Sequence, residues 1–100
     1  MQVKQLSLEI GKKVDIGMVV KIFLQEGCGH CPSAKKLGKE LEGNDVKVEY
    51  HDVNTPDGLA EAMFYDILST PSLIITDGKK KEIAAWRGES PNMEDVKKFL

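Results

Sequence analysis

Met18-Val-Val-Lys-Ile-Phe-Leu-Gln-Glu-Gly-Cys-Gly-His-Cys-Pro32 is the stretch that decides the fold. Its first seven residues, Met18–Leu24, are rich in β-branched side chains and almost wholly apolar. A strand buried on both faces has this composition. Gly27–Cys31 interrupts the pattern and reads as a loop. Pro32–Glu42 then takes up helical spacing, with Ala34, Leu37 and Leu41 at i, i+3 and i+7 and lysines and glutamates elsewhere. Gly43 is a natural helix stop. The stretch is strand, loop, helix, with Cys28 and Cys31 at the joint.

Working outward, Val46–Val53 alternates with period two and places Val46, Val48 and Tyr50 on one face of a second strand. Thr55-Pro56-Asp57 marks a helix start: a capping hydroxyl, a proline at the first helical position, and an acid in the first turn. That helix is expected to reach about Leu68, with Leu59, Met63, Phe64 and Ile67 on its core side. Pro71 stops it, and Ser72–Thr76 is a third strand. Asp77-Gly78 is a turn signal. Lys81–Arg87 returns as a fourth strand, antiparallel to the third. Ser90-Pro91 opens a last helix with Met93, Val96 and Phe99 or Leu100 as its buried stripe. Lys97 and Lys98 stand in its last turn, where the helix dipole favours cations.

From Met18 the order is β-α-β-α-β-β-α. This predicts an α/β fold: a mixed four-stranded sheet with helices on both faces. Strands joined through a helix are expected to be parallel by right-handed crossovers, and the closing hairpin antiparallel. Residues 1–17 form a variable N-terminal extension. Leu6, Leu8 and Ile10 fit a strand, and Val3, Leu6, Ile10 and Val14 fit a helix; the expectation is an extra edge strand. At 100 residues, one domain over 1–100 accounts for the whole chain.

Composition removes several classes. Hydrophobic residues are 41% and charged residues 30%, the balance of a globular chain and not of a disordered one. No apolar run approaches the roughly 20 residues of a membrane span. The net charge of −2 argues against a nucleic-acid binder, whose footprint is basic, and the Lys79–Lys81 run is too short to reverse this. The opening MQVKQLSLEI alternates polar and apolar residues and lacks a signal peptide's apolar core and cleavage site. A cytoplasmic location is the expectation. Two cysteines do not make a disulfide-stapled secreted scaffold.

Both cysteines sit in Cys28-Gly29-His30-Cys31. A loop that small cannot staple a fold, so chemistry is the better reading. A CxxC beside a βαβ pattern is a redox signal. Pro32 lacks an N–H and is tolerated only in a first helical turn, which puts the helix start near Cys28. Free amide donors and the positive end of the dipole then favour the Cys28 thiolate and lower its pKa. Spacing of three on a helical turn brings the sulfurs within bonding reach. Cys28 is expected to be the exposed, attacking sulfur and Cys31 the deeper, resolving one. An imidazolium at His30 would also favour the thiolate. A closed zinc site needs four ligands, and the chain has two cysteines and two histidines. His51, on the second strand, reads as an ordinary sheet residue, Trp86 as core or rim, and Met63 and Phe64 as core. No metal site is expected. The alternative from another class is a metallochaperone module with Cys28 and Cys31 as soft ligands.

These residues resemble the thioredoxin superfamily over 18–100: the CGHC at the strand–helix junction, Thr70-Pro71 opening the third strand, and the β-β-α ending. CGHC is similar to the active sites of protein disulfide isomerase domains. The chain also resembles one half of the glutaredoxin-like two-domain protein disulfide oxidoreductases. The resemblance implies a cis-proline at Pro71 packed beside the cysteines, with Thr70 offering backbone hydrogen bonds to an extended substrate. It departs from the family at Ile22, where thioredoxins and disulfide isomerases carry a buried acid six residues before the first cysteine. Gly27 stands in place of the usual tryptophan, His30 in place of the aromatic that glutaredoxins carry inside the motif. Trp86-Arg87-Gly88-Glu89 offers one glycine where glutaredoxins have two. The implied function is a thiol–disulfide oxidoreductase with no bound cofactor. Its partners would be disulfide-containing proteins, with a flavin-dependent disulfide reductase or glutathione as electron donor.

Overall fold

Met18–Leu24 owes its place at the middle of the sheet to having no polar face to show to water apart from Lys21. The computed structural model describes residues 17–100. Seven elements follow in order: β1 (Val19–Leu24), α1 (Cys31–Gly43), β2 (Lys47–Asp52), α2 (Pro56–Phe64), β3 (Ser72–Thr76), β4 (Glu82–Arg87) and α3 (Met93–Lys97). The strands lie in the order β2-β1-β3-β4. This is the mixed four-stranded sheet and the β-α-β-α-β-β-α order that the sequence predicts. The extra edge strand expected in the N-terminal extension lies outside the described residues. No helix among the described residues is long and apolar enough to cross a membrane.

The period-two alternation of the central strands splits the core into two layers. Val20, Ile22, Leu73 and Ile75 face α1 and α3, where they meet Ala34, Leu37, Leu41 and Val96. Phe23 and Ile74 point the other way, toward Ala62, Tyr65 and Ile67 on and after α2. Each large side chain so buried contributes about 1.5–3 kcal/mol. Trp86 is half-buried against the first layer, with Phe99 edge-on to it at 5.7 Å between ring centroids.

Two expectations are corrected. β1 pairs with β2 in parallel, but with β3 antiparallel, and β4 is antiparallel to β3. The α2 connection is therefore not a parallel crossover. Nine helical residues rise roughly 14 Å, less than the about 20 Å of a six-residue strand. Asp66, in the left-handed region at φ 57°, then turns the chain. Residues 67–71 run back to the edge of the sheet that β2 has just left, so β3 starts beside the end of β1, with Ser72 opposite Phe23.

The second correction concerns the face of α2. Leu59, Met63 and Phe64 are exposed, and the buried residues of the helix are Gly58 and Ala62. The helix lies too close to the sheet for large side chains: a Cβ at position 58 would collide with the carbonyl of Asp52. It also ends at Phe64 instead of near Leu68, and Tyr65 and Ile67 fill the second core layer from beyond its end. Thr55 caps it as expected, its Oγ1 accepting from the Gly58 amide at 3.0 Å. α3 starts later than Ser90-Pro91, with Asn92 as its cap: Asn92 Oδ1 accepts from the Asp95 amide at 2.9 Å.

Candidate active site

The loop from Gln25 to His30 leaves the end of β1 and delivers the chain into α1. The helix begins at Cys31, with Pro32 in its first turn and His30 at the N-cap. This start is one residue before the Pro32 that opens the expected helix, and Cys28 lies ahead of the helix. Cys31 shares a helix face with Ala34, Leu37, Gly38 and Leu41, all buried, and is itself only 5% exposed. Cys28 precedes the helix and is half-buried, held in a turn by the Cys31 amide donating to its carbonyl at 3.4 Å. The two sulfurs form a disulfide across a Cα–Cα separation of 5.4 Å. His30 is exposed, and its side chain makes no capping bond to the helix.

Thr70 and Pro71 reach this end of the sheet because β3 is antiparallel to β1. Continuing the register from Ser72 and Phe23 puts Pro71 opposite Leu24 and Thr70 opposite Gln25. Thr70 Oγ1 donates to Gln25 Oε1 at 3.3 Å, which ties the two segments together. The Thr70–Pro71 peptide is cis, and Pro71 is fully buried. Ser72 fixes the neighbouring turns: its Oγ donates to the Ser69 carbonyl at 2.7 Å and accepts from the Gly88 amide at 3.0 Å. Ile22, the position at which the resemblance leads one to expect a buried acid, is fully buried in the layer beneath α1.

A cleft of about 520 Å³ opens beside Cys31, lined by Leu24, Gln25, Glu26, Lys35, Tyr50, His51 and Asp52. The sequence reading did not place these residues at a site. The signal was available: Tyr50–Asp52 end the strand parallel to β1, and ligands gather at the carboxyl ends of parallel strands.

His51 also belongs to a polar cluster between the sheet and α2. Lys21 lies on β1 and is 5% exposed. Its Nζ donates to Glu49 Oε1 at 2.9 Å and to Glu61 Oε2. His51 Nε2 lies 3.1 Å from Glu49 Oε1, and its ring stacks on Phe23. Burial alone would pull the Lys21 pKa down, but the bonds and charges of Glu61 and Glu49 outweigh it and raise the pKa. The Lys21 hydrogen bond holds Glu49 below the usual carboxylate value. Glu49, His51 and Glu61 have ligand atoms within 4.8 Å of one another, as a metal site would need. The Lys21 ammonium already bonds both carboxylates of that group, and neither cysteine belongs to it. The metallochaperone alternative, which rests on Cys28 and Cys31 as thiolate ligands, is not favoured, since the two are joined in a disulfide.

Comparison with known proteins agrees with the geometry. The family model of the thioredoxin domain matches residues 18–100. A thioredoxin of Methanocaldococcus jannaschii is 32% identical over 84 residues, covering 81% of this chain and 94% of that protein. Among solved structures, the reduced Schistosoma mansoni thioredoxin pre-protein superposes with a TM-score of 0.69 at 26% identity, covering 84% of this chain and 80% of that one. A thioredoxin from Thermus thermophilus does so with a TM-score of 0.60 at 25% identity, covering 82% and 70%. A cysteine pair that closes a disulfide at the mouth of α1, on this sheet order and with these relatives, is that of a thiol–disulfide oxidoreductase acting on disulfide-containing substrates, and the chain belongs to the thioredoxin family.

Proposed function

We propose that the protein reduces protein disulfides through Cys28 as nucleophile and Cys31 as resolving thiol. The observation that carries this reading is the unequal placement of the two sulfurs: Cys28 half-buried ahead of the helix, Cys31 buried in its first turn. An incoming disulfide meets Cys28 first. The Cys28 thiolate attacks one substrate sulfur, forming a mixed disulfide and releasing the other substrate sulfur as a thiolate. Cys31, deprotonated in turn, attacks the Cys28 sulfur. The second substrate thiolate leaves, and the Cys28–Cys31 bridge holds the two electrons' worth of oxidation. The positive end of α1 favours the attacking thiolate, and a cationic His30 at the N-cap adds to it.

In this reading Thr70 and Pro71 form the substrate-facing wall, since they border the loop that carries Cys28. Reduction of the bridge needs two electrons from outside the domain, supplied by a flavin-dependent disulfide reductase or by glutathione. The cytoplasm, with its reducing thiol pool, is the compartment this direction requires.

Insulin reduction driven by dithiothreitol tests the assignment. Cys28→Ser abolishes turnover. Cys31→Ser retains the first attack and accumulates a mixed disulfide visible by mass spectrometry. Limited alkylation of the reduced protein labels Cys28 before Cys31; the reverse order would assign the roles the other way round.

A further inference from the structure

Cys31 has to lose a proton before it can resolve a mixed disulfide, and its surroundings work against this. It is 5% exposed and shares the buried face of α1 with Ala34, Leu37, Gly38 and Leu41. The sheet layer behind that face is Val20, Ile22, Leu73 and Ile75, all apolar. Burial among apolar groups disfavours a thiolate. The positive end of α1 offsets part of this. Any side-chain charge that helps must come from the open side, the cleft of about 520 Å³.

Five ionisable side chains line that cleft beside Cys31: Glu26 from the loop, Lys35 from α1, and Tyr50, His51 and Asp52 from the end of β2. Glu26 and Asp52 oppose a further negative charge, but they belong to other elements, and Asp52 Oδ1 is engaged by the Asn54 amide at 2.8 Å. Tyr50 Oη donates to Glu42 Oε1 at 3.1 Å, and burial and Glu42 push its pKa up, so it stays a neutral phenol. His51 is held beside Glu49, at 3.1 Å, within the cluster of Lys21 and Glu61. His30, at the N-cap, does not line the cleft. Lys35 is the only lysine or arginine that does, and it follows Cys31 by four residues in α1.

That spacing fixes proximity. Residues four apart on a helix are neighbours on one face, with Cβ atoms about 5–6 Å from one another. A helical side chain leans toward the N-terminus, so the Lys35 stem lies over the turn that holds Cys31. Lys39, one turn further on, carries the same charge and disfavours the opposite swing. Among the described residues Lys35 forms no ion pair that would hold its ammonium elsewhere.

We propose that Lys35 activates Cys31 as the resolving thiol, its ammonium stabilising the Cys31 thiolate across one helical turn. The proposal rests on the reading of Cys31 as the resolving sulfur. The Cys31 proton passes to solvent in the cleft. The thiolate then attacks the Cys28 sulfur of the mixed disulfide. The Cys28–Cys31 bond forms, and the substrate sulfur leaves as a thiolate with the electron pair of the broken bond.

Cys28→Ser leaves Cys31 as the sole cysteine and reads its acidity without turnover. The rate of alkylation by iodoacetamide, a neutral reagent, is followed against pH. Lys35→Met in that background is expected to move the midpoint toward higher pH by about 0.5–1. With Cys28 restored, it slows single-turnover release of the second substrate thiol near neutral pH by about three- to tenfold. Lys35 is exposed, so its replacement leaves the core untouched. Lys35→Arg keeps both values. Lys36→Met removes the same charge from a residue that lines a different groove, with Ser90 and Met93, and changes neither. An unchanged midpoint in Lys35→Met overturns the proposal, as does an equal shift in Lys36→Met. A midpoint that moves while thiol release keeps its rate would instead overturn the resolving role of Cys31, and the activation with it.

Discussion

His30 and Lys21 illustrate how differently single side chains act in this protein. His30 stands exposed at the N-cap of α1, between the two cysteines. In the proposed mechanism, a positive charge there stabilises the Cys28 thiolate, hence the dithiol, and so raises the reduction potential. Replacing it by proline is expected to lower the potential by tens of millivolts, where about 30 mV is a tenfold change in equilibrium constant. A glutathione redox titration of both forms measures this; coincident curves would leave the helix end as the sole source of thiolate stabilisation. Lys21 acts on stability instead. It is buried and bonded to two carboxylates that are each about one-third exposed, so the acids can rehydrate if it is lost. Lys21→Met is expected to cost about 1–2 kcal/mol in urea unfolding near neutral pH. Glu49 is depressed in the folded state, so its contribution is present above the ordinary carboxylate value and disappears as pH falls through the folded one. Lys21 is raised, so its contribution is present below the ordinary lysine value and disappears as pH climbs through the folded one. The gap between wild type and Lys21→Met therefore narrows below the ordinary carboxylate range and again at strongly alkaline pH.

α1 is the element that positions the chemistry, and one glycine sets its distance from the sheet. Gly38 is buried on the face that also carries Cys31. A Cβ there would come within 2.8 Å of Ile22 Cδ1 and 2.5 Å of Tyr50 Oη. Tyr50 is exposed and can swing aside; Ile22 is fully buried and cannot. Alanine favours a helix over glycine by up to about 1 kcal/mol, but overpacking a core costs about 1–3 kcal/mol. Gly38→Ala is expected to lower stability on balance, read as a reduced urea midpoint with an unchanged slope. A stabilised variant would mean that Ile22 repacks freely beneath the helix. α2 shows the opposite arrangement, in which small buried residues and large exposed ones reverse the usual reading of an amphipathic pattern.

At the scale of the whole molecule, β1 and β3 are the interior strands and carry both core layers. β4 pairs only with β3 among the described strands, and its first residues are exposed. Amide exchange is therefore expected to be slowest in β1 and β3, where opening approaches global unfolding, and faster in β4 through local opening. Equal protection across β3 and β4 would show that the hairpin opens as one unit. The antiparallel setting of β3 matters beyond stability. The sequence reading expected a β3 parallel to β1 and also a Pro71 beside the cysteines. These two expectations exclude each other, because a parallel β3 would begin at the far end of β1. The fold resolves the conflict through the antiparallel pairing of β3 with β1, which brings Pro71 to the end of β1 opposite Leu24.

What the sequence determined by itself was everything that depends on neighbours along the chain. The apolar run Met18–Leu24, the Pro32 helix start and the Thr55 cap placed β1, α1 and α2 in order, because strand burial, proline geometry and capping are local. The Cys28–Cys31 spacing likewise announced a disulfide-forming pair. Tertiary structure decided three things that spacing cannot carry. The direction of β3 followed from a short helix and the reversal at Asp66. The buried face of α2 followed from how closely the Asp52 carbonyl approaches Gly58, which selected small side chains over the larger apolar ones. The Lys21–Glu49–Glu61–His51 cluster and the cleft beside Cys31 unite residues from β1, β2 and α2. Each of those residues looks like an ordinary strand or helix position until the sheet register brings them together.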